Sequence, residues 1–228
     1  MATMPFESLR LPDLPQRGCE VLRRASSTRP AVWLVEDKGF RAVVKDFSSN
    51  RFLYRNTVGR FLVWREKKAY RRLEGLKGIP ILYRDIDGLA LVVEEVKGRS
   101  LENLEEEIRL SDGFFDMLRV LVKNVHERGL AHCDLKRVSN VLLGDDGKPH
   151  IVDWSSSISK REFRIFPLNT IYQRFLLDDF NAIIKIQLRH RPESISSEEK
   201  KYYHQRSRAE KFVRAIRDKA RALLQKVA

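Results

Sequence analysis

His132-Cys133-Asp134-Leu135-Lys136, followed by Asn140 and then by Val152-Asp153-Trp154-Ser155, is the stretch whose reading decides the fold. It sets two acids, a lysine and an amide within a short span. Transfer of a phosphoryl group from a nucleotide draws on such a set. One carboxylate orients the attacking hydroxyl, an amide oxygen and a second carboxylate hold divalent metal, and a cation neutralises charge on the moving group. Between Asn140 and Asp153 the text Val141-Leu142-Leu143, Gly144-Asp145-Asp146-Gly147, Pro149-His150-Ile151-Val152 predicts a short apolar strand, a turn and a second strand. Such a hairpin brings Asn140 and Asp153 side by side at one end of a small sheet.

Upstream, the partial alternation of Phe40-Arg41-Ala42-Val43-Val44-Lys45 fits a strand whose last charge points into a cleft. Leu62, Ala69 and Leu73 recur at helical spacing and predict a helix that carries Glu66, with Glu74 a competing acid too near the helix end. Leu89 to Val93 is a buried strand that leads through Glu94, Glu95 and Val96 into a connector. Phe114, Phe115, Leu118, Leu121, Val122 and Val125 form the core stripe of a further helix, closed by Gly129 as a C-cap, with His126 structural. The first twenty residues, with Pro5, Pro12 and Pro15, predict an extended arm. Leu177-Asp178-Asp179-Phe180 predicts a helix start with acids in its first turn. From Ser196 the text is helical and basic, with Ser196 and Glu199 in capping-box spacing and Phe212, Ile216, Leu223 and Val227 on one face. That face packs in the core or lies on a membrane surface.

With 228 residues the chain can bury a real core. Its 44 Lys and Arg against 31 Asp and Glu leave a net charge of +13, which attracts polyanions. The cations cluster at Arg51, Arg55, Arg60, Arg65, Lys67, Lys68, Arg71 and Arg72 and again near the C-terminus. Aromatic interleaving is sparse and no DNA- or RNA-binding motif is present, so an anionic, membrane-associated substrate ranks ahead of nucleic acid. Cys19 and Cys133 lie far apart without zinc-site spacing, which suits a reducing cytoplasm. The N-terminal text lacks the basic and apolar regions of a signal peptide, which gives a cytoplasmic expectation with peripheral contact at an anionic inner membrane. Neither a Walker motif nor G-x-G-x-x-G occurs, which excludes P-loop and Rossmann readings.

Over roughly residues 30–190 these motifs resemble the protein-kinase superfamily, and within it a small atypical bacterial branch similar to lipopolysaccharide-core (Kdo/heptose) kinases and RIO-type kinases. The resemblance implies an α+β, compact two-lobed protein-kinase-like fold. It would have a small antiparallel-sheet N-lobe with one helix and a mainly helical C-lobe. The corresponding division is an arm over 1–20, an N-lobe over 21–96 and a C-lobe with the basic C-terminal helix over 97–228. It further implies that ATP sits between the lobes with Mg2+. Asp134 takes the place of the catalytic acid of H-R-D, Lys136 that of the lysine at the transferred phosphate, and Asn140 and Asp153 those of the metal ligands. Lys45, oriented by Glu66, would hold phosphates. The carbonyl of Glu94 and the amide of Val96 would meet adenine behind a Val93 gatekeeper. Asp179, or Asp178 in its stead, would anchor the catalytic loop or act as a simple N-cap.

The chain departs from the family in three places. Asp134 to Asn140 is six residues, one more than in H-R-D-x-x-x-x-N, so Ser139 competes for the Asn place. Cys133 replaces the usual Arg. The expected glycine-rich turn is Arg23-Arg24-Ala25-Ser26-Ser27-Thr28-Arg29-Pro30, where Ser26 and Ser27 would serve phosphate in place of glycines. The implied function is ATP/Mg-dependent transfer to a hydroxyl of a lipopolysaccharide-core sugar or of a protein Ser/Thr, an anionic acceptor in either case. The alternatives are a pseudokinase or ATP-binding scaffold, and a basic nucleic-acid-binding module on a kinase-like fold.

Overall fold

A computed structural model describes residues 5–15, 19–104 and 109–198. The described residues divide into two units, one within 5–67 and 81–95, the other within 68–80 and 96–198.

The first unit is built on a five-stranded antiparallel sheet in the order β1-β2-β3-β5-β4. Its strands are β1 (Glu20–Arg23), β2 (Ala31–Asp37), β3 (Phe40–Asp46), β4 (Leu82–Ile86) and β5 (Ala90–Glu94). Asp37 pairs with Phe40 across a two-residue turn. Lys38 and Gly39 both take positive φ there, the geometry of a tight hairpin whose twist matches its strands. The period of two in β3 sends Ala42 and Val44 to one face and Lys45 to the other. Ala42 and Val44 join Val35, Ile86, Ala90 and Val92 in a core that Phe6, Leu9 and Leu14 complete from the N-terminal segment. Burial of side chains this size stabilises by about 1.5–3 kcal/mol each.

That contact changes the picture of the first residues. The prolines suggested an extended arm, yet Phe6 is 1% exposed. Its amide donates to Asp37 Oδ2 at 2.6 Å. The Arg84 guanidinium donates to the carbonyls of Phe6 and Glu7. The sheet offers an apolar face with no other cover from its own strands, and Phe6, Leu9 and Leu14 supply it.

Helix α1 (Phe52–Tyr54), a π-type turn over Arg55–Gly59 and helix α2 (Arg60–Leu73) follow β3. The buried face of α2 runs Val63, Glu66, Ala69, Tyr70 and Leu73, so it is centred on Val63 rather than on Leu62. Glu66 therefore lies on the helix face that is buried, one turn from Val63 and from Tyr70.

In the second unit, helix α3 (Asp112–Glu127) starts at Ser111, whose Oγ accepts the Phe114 amide at 3.1 Å. All six residues of its predicted stripe are buried, and Gly129 follows the helix with φ of 72°. Strand β7 (Leu130–Ala131) pairs with β10 (Ile158–Ser159). Strands β6 (Gly98–Ser100), β8 (Val141–Gly144) and β9 (Pro149–Ile151) form a three-stranded sheet in the order β6-β8-β9. The hairpin read from the sequence between Asn140 and Asp153 is β8-β9.

Helix α4 (Leu168–His190) corrects a boundary. It begins at Leu168, not at Leu177, so Asp178 and Asp179 lie in its interior and Asp179 is no N-cap. Tyr172, Phe175 and Leu176 pack with Ala131 and Ile158, and these contacts extend the helix toward its N-terminus. Tertiary packing here outweighs the local signal of acids in a first turn. The basic helix from Ser196 lies almost wholly outside the described residues. No helix among them is long and apolar enough to cross a membrane.

Candidate active site

The segment from His132 to Asp134 is held by one carboxylate. Asp179 is 1% exposed. Its Oδ2 accepts the His132 amide at 2.7 Å and its Oδ1 the Cys133 amide at 2.9 Å. His126 Nε2 lies 3.1 Å from Oδ2, so His126 steadies this carboxylate. A buried carboxylate is costly unless its lone pairs are taken up, and here three nitrogens take them up. The two amides come from a chain whose next turn is tight: Cys133 has φ of 68°. Burial pushes the Tyr172 phenol above its usual range. Arg72 lowers it in part, while Cys133 and Asp179 raise it further, so it stays a neutral phenol in this cluster.

His132 is fully used as structure. Its Nδ1 accepts the Asp134 amide at 3.3 Å and its Nε2 meets the Val152 carbonyl at 3.0 Å. An acceptor at Nδ1 and a carbonyl at Nε2 require the tautomer with the proton on Nε2. The ring also stacks edge-on against Trp154, with centroids 4.6 Å apart. His132 thereby ties the segment bearing Asp134 to the segment bearing Asp153.

Asn140 makes the second tie. Its Nδ2 donates to the Asp134 carbonyl at 3.0 Å, and its own carbonyl accepts the Val152 amide at 3.0 Å. The side-chain nitrogen is spent on the loop, which leaves Oδ1 for a hard cation. Asp153 sits at φ of 65°, a strained backbone that occurs often at working sites. Its Oδ1 accepts the Ser155 hydroxyl at 2.9 Å. An amide oxygen and a carboxylate on two segments joined by the Val152–Asn140 hydrogen bond suit Mg2+, which takes few protein oxygens and completes its shell with phosphate and water. Among the described residues no cluster of three or more His, Cys, Asp or Glu forms a closed metal cage.

The Asp134 carboxylate is half-buried, with Arg137 Nε 3.2 Å from Oδ2. Lys136 Nζ is 3.5 Å from Asp178 Oδ1, which Arg174 also approaches at 3.4 Å. Arg137 is thus the cation set against Asp134, while Lys136 and Arg174 both face Asp178. Arg137 was not singled out by sequence. Its signal was its place three residues after Asp134, within reach of that carboxylate only when the loop turns back on itself.

In the first unit Lys45 Nζ and Glu66 Oε1 are 2.6 Å apart, with the Glu66 side chain 3% exposed. Glu74 is exposed and sits in the turn after α2. The Glu94 carboxylate accepts the Ile81 amide at 3.0 Å, and its own amide donates to the Ile81 carbonyl at 2.8 Å, so the end of β5 is locked. Val93 is buried, and Val96 lies in the irregular step between β5 and β6. Ser26 and Ser27 are exposed in the loop between β1 and β2. Lys45 is thus brought to Glu66, and Asp134 to Asn140, Lys136 to Asp178, and Asp153 to Ser155, each within its own unit.

Comparison with known proteins gives this arrangement a family. A family model, the RIO domain, matches residues 41–198, well over half of the chain. No curated protein sequence matches. Among solved structures the chain is similar to the Rio2 kinase from Chaetomium thermophilum, determined as an ADP/Mg2+-phosphoaspartate complex. That match has a TM-score of 0.57 and 17% identity, and covers 82% of this chain and 60% of that one. At such identity the likeness concerns the fold. A sheet unit with a buried Lys-Glu pair and a mainly helical unit with an anchored acidic loop follow the protein-kinase-like plan, and the chain belongs to the RIO domain family.

Proposed function

We propose that this chain is an ATP- and Mg2+-dependent phosphotransferase that passes the γ-phosphoryl group to a hydroxyl. The observation that carries the proposal is the double tie of the acidic loop. Asn140 bonds the carbonyl of Asp134 and the amide of Val152, so the two segments that bear Asp134 and Asp153 are held to each other. A reaction that is mostly positioning and electrostatics needs that rigidity. The Rio2 kinase with ADP and Mg2+ in its structure supports the choice of nucleotide and metal.

In this reading Lys45, oriented by Glu66, holds nucleotide phosphate. The Glu94 carbonyl and Val96 amide meet adenine. Asn140 Oδ1 and the Asp153 carboxylate would hold Mg2+, which would supply neutralisation of phosphate charge. Asp134 accepts the hydroxyl proton, and Lys136 faces the charge of the group in flight. The net charge of +13 favours an acceptor that is itself anionic. A lipopolysaccharide-core sugar and an acidic protein Ser/Thr both meet that description, and a site at the cytoplasmic face of an anionic membrane accords with the net charge. Retention of every charged role weighs against a scaffold without turnover.

The test is γ-labelled ATP with Mg2+ offered to core oligosaccharide and to acidic protein, with the enzyme's own label checked for lability to hydroxylamine. The last arm is included because the similar Rio2 kinase holds a phosphoaspartate. Label in a hydroxyl acceptor supports the proposal. Tight ATP binding with no label in any arm would move the chain to the scaffold reading.

The loop register carries its own prediction. Asn140 is buried and doubly bonded, whereas Ser139 has neither contact. Asn140→Ala is expected to raise the Mg2+ concentration for half-maximal activity by about tenfold, as losing a metal-site ligand or support does. Ser139→Ala is expected to leave it within twofold, roughly. A magnesium titration of each variant reads the difference, and the opposite pattern would assign Ser139 to the metal.

A further inference from the structure

We infer that Asn50 and Tyr54 are positioning residues that turn the glycine-free β1–β2 loop into a phosphate-binding row of backbone amides. The inference rests on the nucleotide reading above and names what makes this loop serve it. It concerns a segment that lies before the residues matched by the RIO domain.

Asn50 follows β3 and is 5% exposed. Its Nδ2 stands 2.6 Å from the Ser26 carbonyl, 3.2 Å from that of Arg29 and 3.5 Å from that of Ser27. Three carbonyls around one group fix it as the NH2 end, since an oxygen there would be repelled by all three. The Tyr54 hydroxyl donates to the remaining carbonyl, that of Thr28, at 2.9 Å. Asn50 is itself held: its amide donates to the Phe47 carbonyl at 3.1 Å, Ser48 donates to Asp46 Oδ1 at 2.7 Å, and Arg55 donates to the Ser48 carbonyl at 3.0 Å.

The peptide bond sets the consequence. In a trans peptide the C=O of one residue and the N–H of the next point in opposite directions. The Ser26 and Thr28 carbonyls are drawn inward, so the amides of Ser27 and Arg29 are turned outward, and the Ser27 carbonyl turns the Thr28 amide the same way. None of these three amides makes a hydrogen bond among the described residues, whereas the Ser26 amide is spent on the Arg29 carbonyl at 3.0 Å. Successive outward amides in a turn form an anion-binding concavity. Ser27 and Thr28 add hydroxyl donors beside them.

Glycine is dispensable here for a visible reason. No residue from Arg24 to Pro30 has positive φ, so none needs the freedom that glycine provides. Carbonyl bracing replaces flexibility. The register places the result well: the loop runs into Ala31 and Val32, and Val32 pairs with Lys45. The amide row and the lysine thus lie at the same end of the sheet. The Asn50 Oδ1 is buried without a partner among the described residues, a cost that the donor end must offset.

Isothermal titration of the full chain with Mg-ATP and with adenosine separates this role from a general effect on folding. Asn50→Ala is expected to weaken Mg-ATP by about tenfold and to leave adenosine within about twofold, because the loop meets phosphate and not the nucleoside. Tyr54→Phe keeps the ring and removes only the Thr28 contact. It should shift Mg-ATP in the same direction by about threefold, again with adenosine unmoved. Equal losses for Mg-ATP and adenosine, or unchanged Mg-ATP affinity in both variants, would overturn the inference. A wild-type chain that binds adenosine and Mg-ATP equally would overturn it as well. Wild-type protein that binds neither would instead end the nucleotide reading itself.

Discussion

Asp134→Asn lowers phosphoryl transfer by about 10²–10⁴-fold while Mg-ATP binds as it does to wild type. The expectation follows from how the residue is held. Its amide is taken by His132 Nδ1 and its carbonyl by Asn140, so the backbone position does not depend on the side chain. An asparagine at 134 keeps the size of the carboxylate and an oxygen for Arg137, which lies 3.2 Å from Oδ2. What it loses is basicity. A group that only accepts the acceptor's proton acts on the chemical step and contributes little to nucleotide affinity. Initial rates at saturating ATP, with thermal shift measured in parallel, read both halves of the claim. Equal rates in wild type and variant would remove Asp134 from the reaction.

The second large effect is on nucleotide binding. Mg-ATP at about one hundred times its Kd should stabilise the chain by about 2.7 kcal/mol through mass action. Lys45→Ala and Asp153→Ala are each expected to remove most of that gain. The two variants differ in the absence of ligand, which is a useful internal check. Lys45→Ala takes from the Glu66 carboxylate, 3% exposed, the cation that lies 2.6 Å away. Removing one member of a buried pair costs about 3–5 kcal/mol, so this variant should melt markedly earlier before any nucleotide is added. Asp153 is only half-buried, so Asp153→Ala should melt closer to wild type and still fail to respond to Mg-ATP. Retention of the full ligand-induced shift in either variant would contradict the role given to that residue.

The order of elements and the acidic loop were legible because their signals are local. The β8-β9 hairpin needs only two short apolar runs and a Gly/Asp turn. The stripe of α3 needs only helical spacing and a C-cap at Gly129. Three features were not legible, and each depends on contacts distant in sequence. Phe6, Leu9 and Leu14 look like part of a proline-rich arm until the bare face of the sheet is known. Asp178 and Asp179 suit a first turn and so point to a start of α4 at Leu177. The helix in fact runs from Leu168, and Asp179 serves two amides forty-six and forty-seven residues before it in the chain. Asn50, one residue before Arg51, has the look of an ordinary residue at a helix entry. Its donors meet carbonyls twenty-one to twenty-four residues earlier, and no local pattern records that. Glu66 shows the intermediate case. Helical spacing identified the helix, and the burial of Val63 and Tyr70 is what turned this glutamate, and not Glu74, inward.

The most direct measurement of the central claim is equilibrium titration of the wild-type chain with ATP, once with Mg2+ and once with EDTA. Saturable binding at micromolar to millimolar ATP that strengthens with Mg2+ is expected, because in the proposed reading Asn140 Oδ1 and Asp153 would hold a metal beside the phosphates. Absence of binding at millimolar Mg-ATP would contradict it, as would affinity that is the same with EDTA.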